Sequence, residues 1–199
     1  MDFLALASVC APAVHPTTMT AIVRTESNFD PLVIRDNTLR ITYHPGTQED
    51  AGKLLDRALS LQHKVAIGLM QVSSVWLAPL HIRARALLDA CTNLAVGSAI
   101  LAQNYVSCAK PQRAPAEALR CALSLYWSGT EERGGAYVNR VYRAAGSPNR
   151  MPETPGVTDG VLGSVKPTIP ALASFRYQGQ TFSYGDPPAV QFEYREPHF

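Results

Sequence analysis

Ala21-Ile-Val-Arg-Thr-Glu-Ser-Asn-Phe-Asp-Pro31 is the stretch on which the reading of this chain turns. His15-Pro16 stands before it and Asp30-Pro31 closes it, so a helix is expected from about Thr17 to Asn28. On that helix Met19, Ile22, Val23 and Glu26 share one face, at offsets of three, four and seven. The glutamate thus continues a stripe that otherwise faces a core. A carboxyl group buried there without a partner keeps its proton, and its pKa rises from ~4.3 towards ~6. Such a group can donate a proton near neutral pH and take one back, which cleavage of a glycosidic bond requires. A plainer reading fits as well: a solvated glutamate at a helix end, or one paired with Arg24 or Arg35.

Outward from this segment the pattern stays mainly helical. Glu49 to Leu61 carries apolar residues at 51, 54, 55, 58 and 59, which is helical spacing. Asp89 is placed to cap a long helix reaching about Ala109, and further helices are expected over Pro115–Tyr126 and Gly135–Ala145. Val33 to Thr42 has the short alternating runs of a small hairpin, and Gly68 to Val75 reads as a turn entering a short helix. The expected class is α+β, mostly helical, over residues 1–146. From Ser147 onward eight of the fifteen prolines occur with no helical period. Residues 147–199 therefore read as an extended or disordered Pro-rich tail, with a docking segment in its aromatic end as a second reading.

A chain of 199 residues holds one domain with a proper core and a tail. The net charge of +2 and the lack of any Lys/Arg run give no basis for nucleic-acid binding. No stretch reaches the ~18 apolar residues of a membrane span. Phe3 to Val9 is apolar but short, and Val9 before Cys10 does not suit a lipoprotein site. It is expected to belong to the mature fold, which leaves the export route open. The four cysteines form no CxxC pair and no histidines sit at ligand spacing, so no metal or cofactor is expected. Their even number suits one or two disulfides in an oxidising compartment; four buried thiols remain the alternative.

Five segments, in order, resemble the lysozyme-like lytic transglycosylases. They are the Glu26-Ser27 segment, Ile67-Gly-Leu-Met-Gln-Val72, Asp89-Ala-Cys-Thr-Asn-Leu-Ala-Val-Gly97, Ala122-Leu-Ser-Leu-Tyr-Trp-Ser-Gly129 and Tyr137-Val-Asn-Arg-Val141. Cys10-Ala-Pro, the 32-to-64 insertion and the tail are similar to the subgroup that accompanies type IV secretion or conjugation machines. The resemblance implies a lysozyme-like fold and a periplasmic enzyme acting on peptidoglycan glycan strands. Glu26 would be the sole acid/base, and Ser27 would orient it or the substrate. Gly68 would let the backbone approach a sugar, Met70 would pack beneath it, and Gln71 would bond an N-acetyl group or hydroxyl. Tyr126 would donate towards Glu26 or the substrate, and Tyr137 would line the cleft.

Trp127 departs from the family's usual asparagine and offers an aromatic face to a sugar in its place. The resemblance further implies that the substrate's own C6 hydroxyl closes a 1,6-anhydro ring, with components of the secretion machine as partners through the tail. Two other functions remain open: a non-catalytic peptidoglycan-binding scaffold, and a hydrolase with Asp30 or Asp36 as second carboxylate.

Overall fold

Asp2 opens the first helix, α1 (Phe3–Cys10), by accepting a hydrogen bond from the Leu4 amide. This is a computed structural model that describes residues 2–146 and, as backbone, three short strands within 174–192. The apolar N-terminal run is thus folded, and Ala7 and Cys10 are its buried residues. Helix α2 (Pro16–Glu26) begins with Pro16 in its first turn, while His15 Nδ1 accepts from the Thr17 amide. Met19, Ala21, Ile22 and Val23 are its buried residues, as the stripe requires. Beyond Glu26 the backbone turns abruptly, because Asn28 and Phe29 both adopt positive φ, 49° and 67°. The Phe29 ring is met edge-on by Phe3 at 5.0 Å and covered by the Arg24 guanidinium at 5.8 Å.

The chain gathers into two compact units: Met1–Phe29 with Gly97–Thr168, and Asp30–Val96 with Ile169–Phe199. In the first, α1 packs on α2, α2 on α6 (Gly135–Ala144), and α6 on α5 (Pro115–Ser128). Helix α5 starts at a proline and stops at Gly129, whose φ of 71° and N–H bond to the Leu125 carbonyl form a glycine cap. Helix α4 (Ala90–Cys108) contains the boundary between the units. Asp89 caps its start by accepting from the Thr92 amide at 2.8 Å. Cys108 is bonded to Cys121, tying the end of α4 to α5, and none of the four cysteines is a free thiol. The disulfide reading therefore holds over the thiol one.

The second unit is built on an antiparallel sheet of strand order β2-β1-β3-β4. The expected hairpin is β1 (Ile34–Asp36) with β2 (Ile41–Tyr43), and β3 (Val65–Ile67) and β4 (Val72–Ser73) extend it. All three residues of β3 are buried, so it lacks the alternation by which a strand is recognised. Helix α3 (Gln48–Ser60) is capped by Thr47 and packs on β1 and β3, with Ala51 and Leu55 wholly buried. The expected short helix after Gly68 is a single 3₁₀ turn, Ser74–Trp76, preceded by β4. Among the described residues no helix is long and apolar enough to cross a membrane.

The tail's expected lack of order falls mostly outside the described residues. Within it, β5 (Ser174–Tyr177) pairs antiparallel with β6 (Gln180–Ser183) and parallel with β7 (Gln191–Phe192). In the four-stranded sheet, Asp36 is buried at the turn after β1. Its Oδ1 accepts from the Thr38 and Leu39 amides, and its Oδ2 lies 2.6 Å from His63 Nδ1. Burial alone would raise its pKa, but the Leu39 amide, His63 and the Thr38 amide outweigh that and hold it below the ordinary 3.8.

Two outcomes follow. Replacing Cys108 and Cys121 by serine should cost about 3 kcal/mol of unfolding free energy, the scale for opening a loop of this length. Urea titration under non-reducing conditions reads it. For Asp36 the folded pKa is depressed, so its contribution is complete above 3.8 and lost as pH falls through the lower folded value. Asp36→Asn should therefore lower the urea midpoint at about pH 7 and flatten its dependence on acid below about pH 4.

Candidate active site

Glu26 ends α2 and is half-buried. Its surroundings in the helical unit include two phenols. Tyr137 lies on the buried face of α6 with Val138 and Val141 and is 1% exposed. Its hydroxyl is inside and makes no hydrogen bond of ordinary length and angle. Its pKa is nevertheless pushed well above 10, by burial first, then by the negative charge of Glu26 and that carboxylate's pull as an acceptor. The Glu26 carboxylate thus lies close enough to act on the Tyr137 hydroxyl.

Tyr126 on α5 is half-buried as a residue, yet burial is also the main cause of its raised pKa, with the Glu26 charge second. The hydroxyl end is thus the sheltered one. Both phenols stay protonated at any working pH and are neutral O–H donors beside a carboxylate. Trp127 stacks on Tyr137 with centroids 5.9 Å apart and planes 9° from parallel, and the Arg140 guanidinium lies over the same Tyr137 ring at 5.8 Å. Ser27, buried at the helix end, donates its hydroxyl back to the Val23 carbonyl at 3.1 Å.

In the sheet unit, Gly68 to Gln71 form the tight turn joining β3 to β4. Gly68 and Gln71 both take positive φ, 70° and 50°, and the Gln71 amide bonds the Gly68 carbonyl at 3.0 Å. The Gln71 side chain folds over the turn, its Nε2 donating to the carbonyls of Val33 and Gly68 at 3.2 and 3.0 Å. Both amide protons are thereby engaged, and the carbonyl Oε1 is the end it can offer a ligand, as an acceptor.

Packing by itself requires glycine at position 68. A Cβ there would sit 2.5 Å from Asn93 Nδ2 and 2.8 Å from the Leu87 carbonyl oxygen, so protein fills that space. Met70 is 0% exposed, a core residue of this unit.

Asn93, 1% exposed, locks the turn. Its Oδ1 accepts from the Met70 amide, and its Nδ2 donates to the carbonyls of Ile67 and Leu87, each at 2.8 Å. Nearby carboxylates in this unit are committed elsewhere. Asp30 accepts from the Leu32 amide and pairs with His44 at 2.8 Å, and both oxygens of Asp36 are engaged as described. No group of three or more His, Cys, Asp or Glu among the described residues could hold a metal ion.

Residues 4–142 match the transglycosylase SLT domain. This chain belongs to that family. A relative in Agrobacterium fabrum (strain C58), named protein virB1, is 36% identical over 148 residues, which is 72% of this chain and 59% of that protein. The type IV secretion system protein virB1 of Brucella abortus (strain 2308) is 32% identical over 189 residues, 86% of this chain and 78% of its own length. The chain spans 59% to 62% of the length of the Agrobacterium and Rhizobium relatives. No solved structure matches it.

Within the SLT domain, the helical unit brings Glu26, Tyr126, Trp127 and Tyr137 into one neighbourhood, and the sheet unit gathers Gly68, Met70 and Gln71 on one turn. Sequence reasoning quoted Asn93 but gave it no task. Its signal was an amide amid Cys91-Thr92 and Leu94-Ala95, on a helix face otherwise apolar. Arg140 was likewise quoted, within Tyr137-Val-Asn-Arg-Val141, without a task.

Asn93→Ala would strand one buried N–H and two buried carbonyls, each costing on the order of 1–3 kcal/mol. A loss of at least ~3 kcal/mol in chemical denaturation is expected, and Asn93→Asp should cost no less, because a buried carboxylate would face the Ile67 and Leu87 carbonyls.

Proposed function

We propose that this SLT domain is a peptidoglycan lytic transglycosylase, with Glu26 as its single acid/base. The observation that carries the reading is the carboxyl group at the end of α2 with two protonated phenols beside it. Glu26 gives its proton to the oxygen joining N-acetylmuramic acid to N-acetylglucosamine. The C1–O bond breaks as the ring gains oxocarbenium character, with the substrate's N-acetyl group in support. The carboxylate then takes the proton of the C6 hydroxyl, O6 bonds to C1, and the 1,6-anhydro ring closes. Glu26 ends as it began, and no water is consumed.

While Glu26 is charged, the Tyr126 and Tyr137 hydroxyls are the donors at hand to stabilise it. Gln71 Oε1 accepts from a substrate N–H or hydroxyl. Trp127 and Ser27 belong to the helical unit's part of the site, and in the sheet unit Gly68 and Met70 hold the turn that carries Gln71. A hydrolase would need a second carboxylate, and the candidates Asp30 and Asp36 are tied into turns and histidine pairs.

The relatives named virB1, one of them a type IV secretion system protein, support the purpose: opening the wall locally for an envelope-spanning machine, in the periplasm. The half-cystine state of all four cysteines suits that oxidising compartment. The tail would tether the enzyme to machine components.

Mass spectrometry of peptidoglycan after digestion should find anhydro-muropeptides with the wild type and at least ~10³-fold fewer with Glu26→Gln, the scale for losing an essential acid/base. Products with reducing ends would replace this reading with a hydrolase; binding without cleavage by either protein would replace it with a scaffold. Deleting residues 147–199 should abolish co-purification with machine components and spare cleavage; undiminished co-purification would refute the tether.

A further inference from the structure

Tyr137 poses a mechanical question. Its hydroxyl is buried beside Glu26, yet no hydrogen bond of ordinary geometry anchors the oxygen. Contacts on the ring therefore help to place that oxygen. Among the described residues two side chains contact the ring as aromatic or cationic partners: Trp127, nearly parallel at 5.9 Å, and Arg140, one helical turn further along α6, at 5.8 Å. We propose that Trp127 is a positioning residue, whose stacked indole holds the Tyr137 ring so that its hydroxyl addresses Glu26. The proposal rests on the transglycosylase reading of the same site and adds to it what sets the geometry of the acid/base.

The indole can do this because its own place is fixed. Trp127 is in the last turn of α5, and the connection from α5 to α6 is locked at both ends. Ser124, 0% exposed, donates its hydroxyl to the Thr130 carbonyl at 2.7 Å and accepts from the Gly134 amide at 2.9 Å. Gly134 is pressed so closely on it that a Cβ would fall 2.5 Å from Ser124 Cα. Ser128 bonds the Ser124 and Thr130 carbonyls at 2.8 and 3.0 Å, and Gly129 caps the helix. The end of α5 and the start of α6 thus move as one piece, and a flat side chain on the first bears on a flat side chain on the second. Supporting contacts of this kind keep a reacting group within the small tolerance that catalysis allows, where an error near 1 Å costs on the order of 100-fold. One face of the indole rests on Tyr137, which leaves only the other to meet a sugar as a stacking platform.

The two roles differ in kinetics. A platform binds ground and transition states alike, so its loss raises KM; a positioning residue loses kcat. Steady-state cleavage of soluble, uncrosslinked glycan strands by Trp127→Leu should show kcat down about 10-fold or more with KM within about 2-fold. Trp127→Phe, which keeps a flat ring, should recover most of it. In a Tyr137→Phe background, where no hydroxyl remains to be placed, Trp127→Leu should cost less than about 2-fold further. A raised KM with unchanged kcat, or full multiplicative losses in the double variant, would overturn the proposal. If the leucine variant does not fold, Trp127→Met supplies the volume without the face and carries the same comparison.

An inactive wild type would sink the transglycosylase reading and leave this inference to a second readout, the titration of Tyr137 followed by NMR with ring-labelled tyrosine. Trp127→Leu should bring its ionisation down towards the ordinary value of 10 as the ring leaves its buried place by Glu26. An unchanged titration would show that the indole does not hold it.

Discussion

A carboxyl group at the end of an otherwise buried helix face is the constraint around which the helical unit is arranged. Met19, Ile22 and Val23 commit α2 to packing against α6, and the same periodicity carries Glu26 inward. The unit places two O–H groups beside the carboxyl: the phenols of Tyr126 and Tyr137 are both kept neutral by burial and by its charge. Neutral donors steady a carboxylate without clamping it in the charged form as a guanidinium would. A group that must give and retake a proton within one turnover is served by such partners.

The sheet unit solves a separate problem, that of presenting a tight turn with little chain. Joining β3 to β4 in four residues demands two positive-φ positions, and only one of them is a glycine. Gln71 takes the other at some strain, of order 1 kcal/mol or more, offset by the two backbone carbonyls its side chain binds. Asn93 fixes the turn from below with three hydrogen bonds, and its side chain occupies the space that Gly68 leaves open. The Gly-Leu-Met-Gln run is thus explained largely by packing and turn geometry, with Gln71 Oε1 left as its chemical end.

Much of this was legible in the sequence because it rests on local rules. Pro16, Asp89 and Pro115 mark helix starts through capping and proline geometry, and those helices begin within a few residues of where the marks put them. The Glu26 stripe was legible from period alone. Strand β3 was not, because Val65-Ala66-Ile67 is buried on every side and carries no alternation. The task of Asn93 and the stacking of Trp127 were hidden for another reason. Asn93 reaches Ile67 and Met70 across more than twenty residues of chain and Trp127 meets Tyr137 across ten, and no pattern of spacing specifies which buried groups an amide will meet or which face of an indole is covered.

The central claim is that the attacking hydroxyl belongs to the sugar and that Glu26 alone moves the protons. Digestion of glycan strands in ¹⁸O-labelled water, with products weighed by mass spectrometry, tests it directly. Closure of an anhydro ring leaves every new muramyl end unlabelled and lighter than a hydrolysed end by one water. Heavy oxygen at new reducing ends would mean that water attacks C1, and the single-carboxylate account of this site would be wrong.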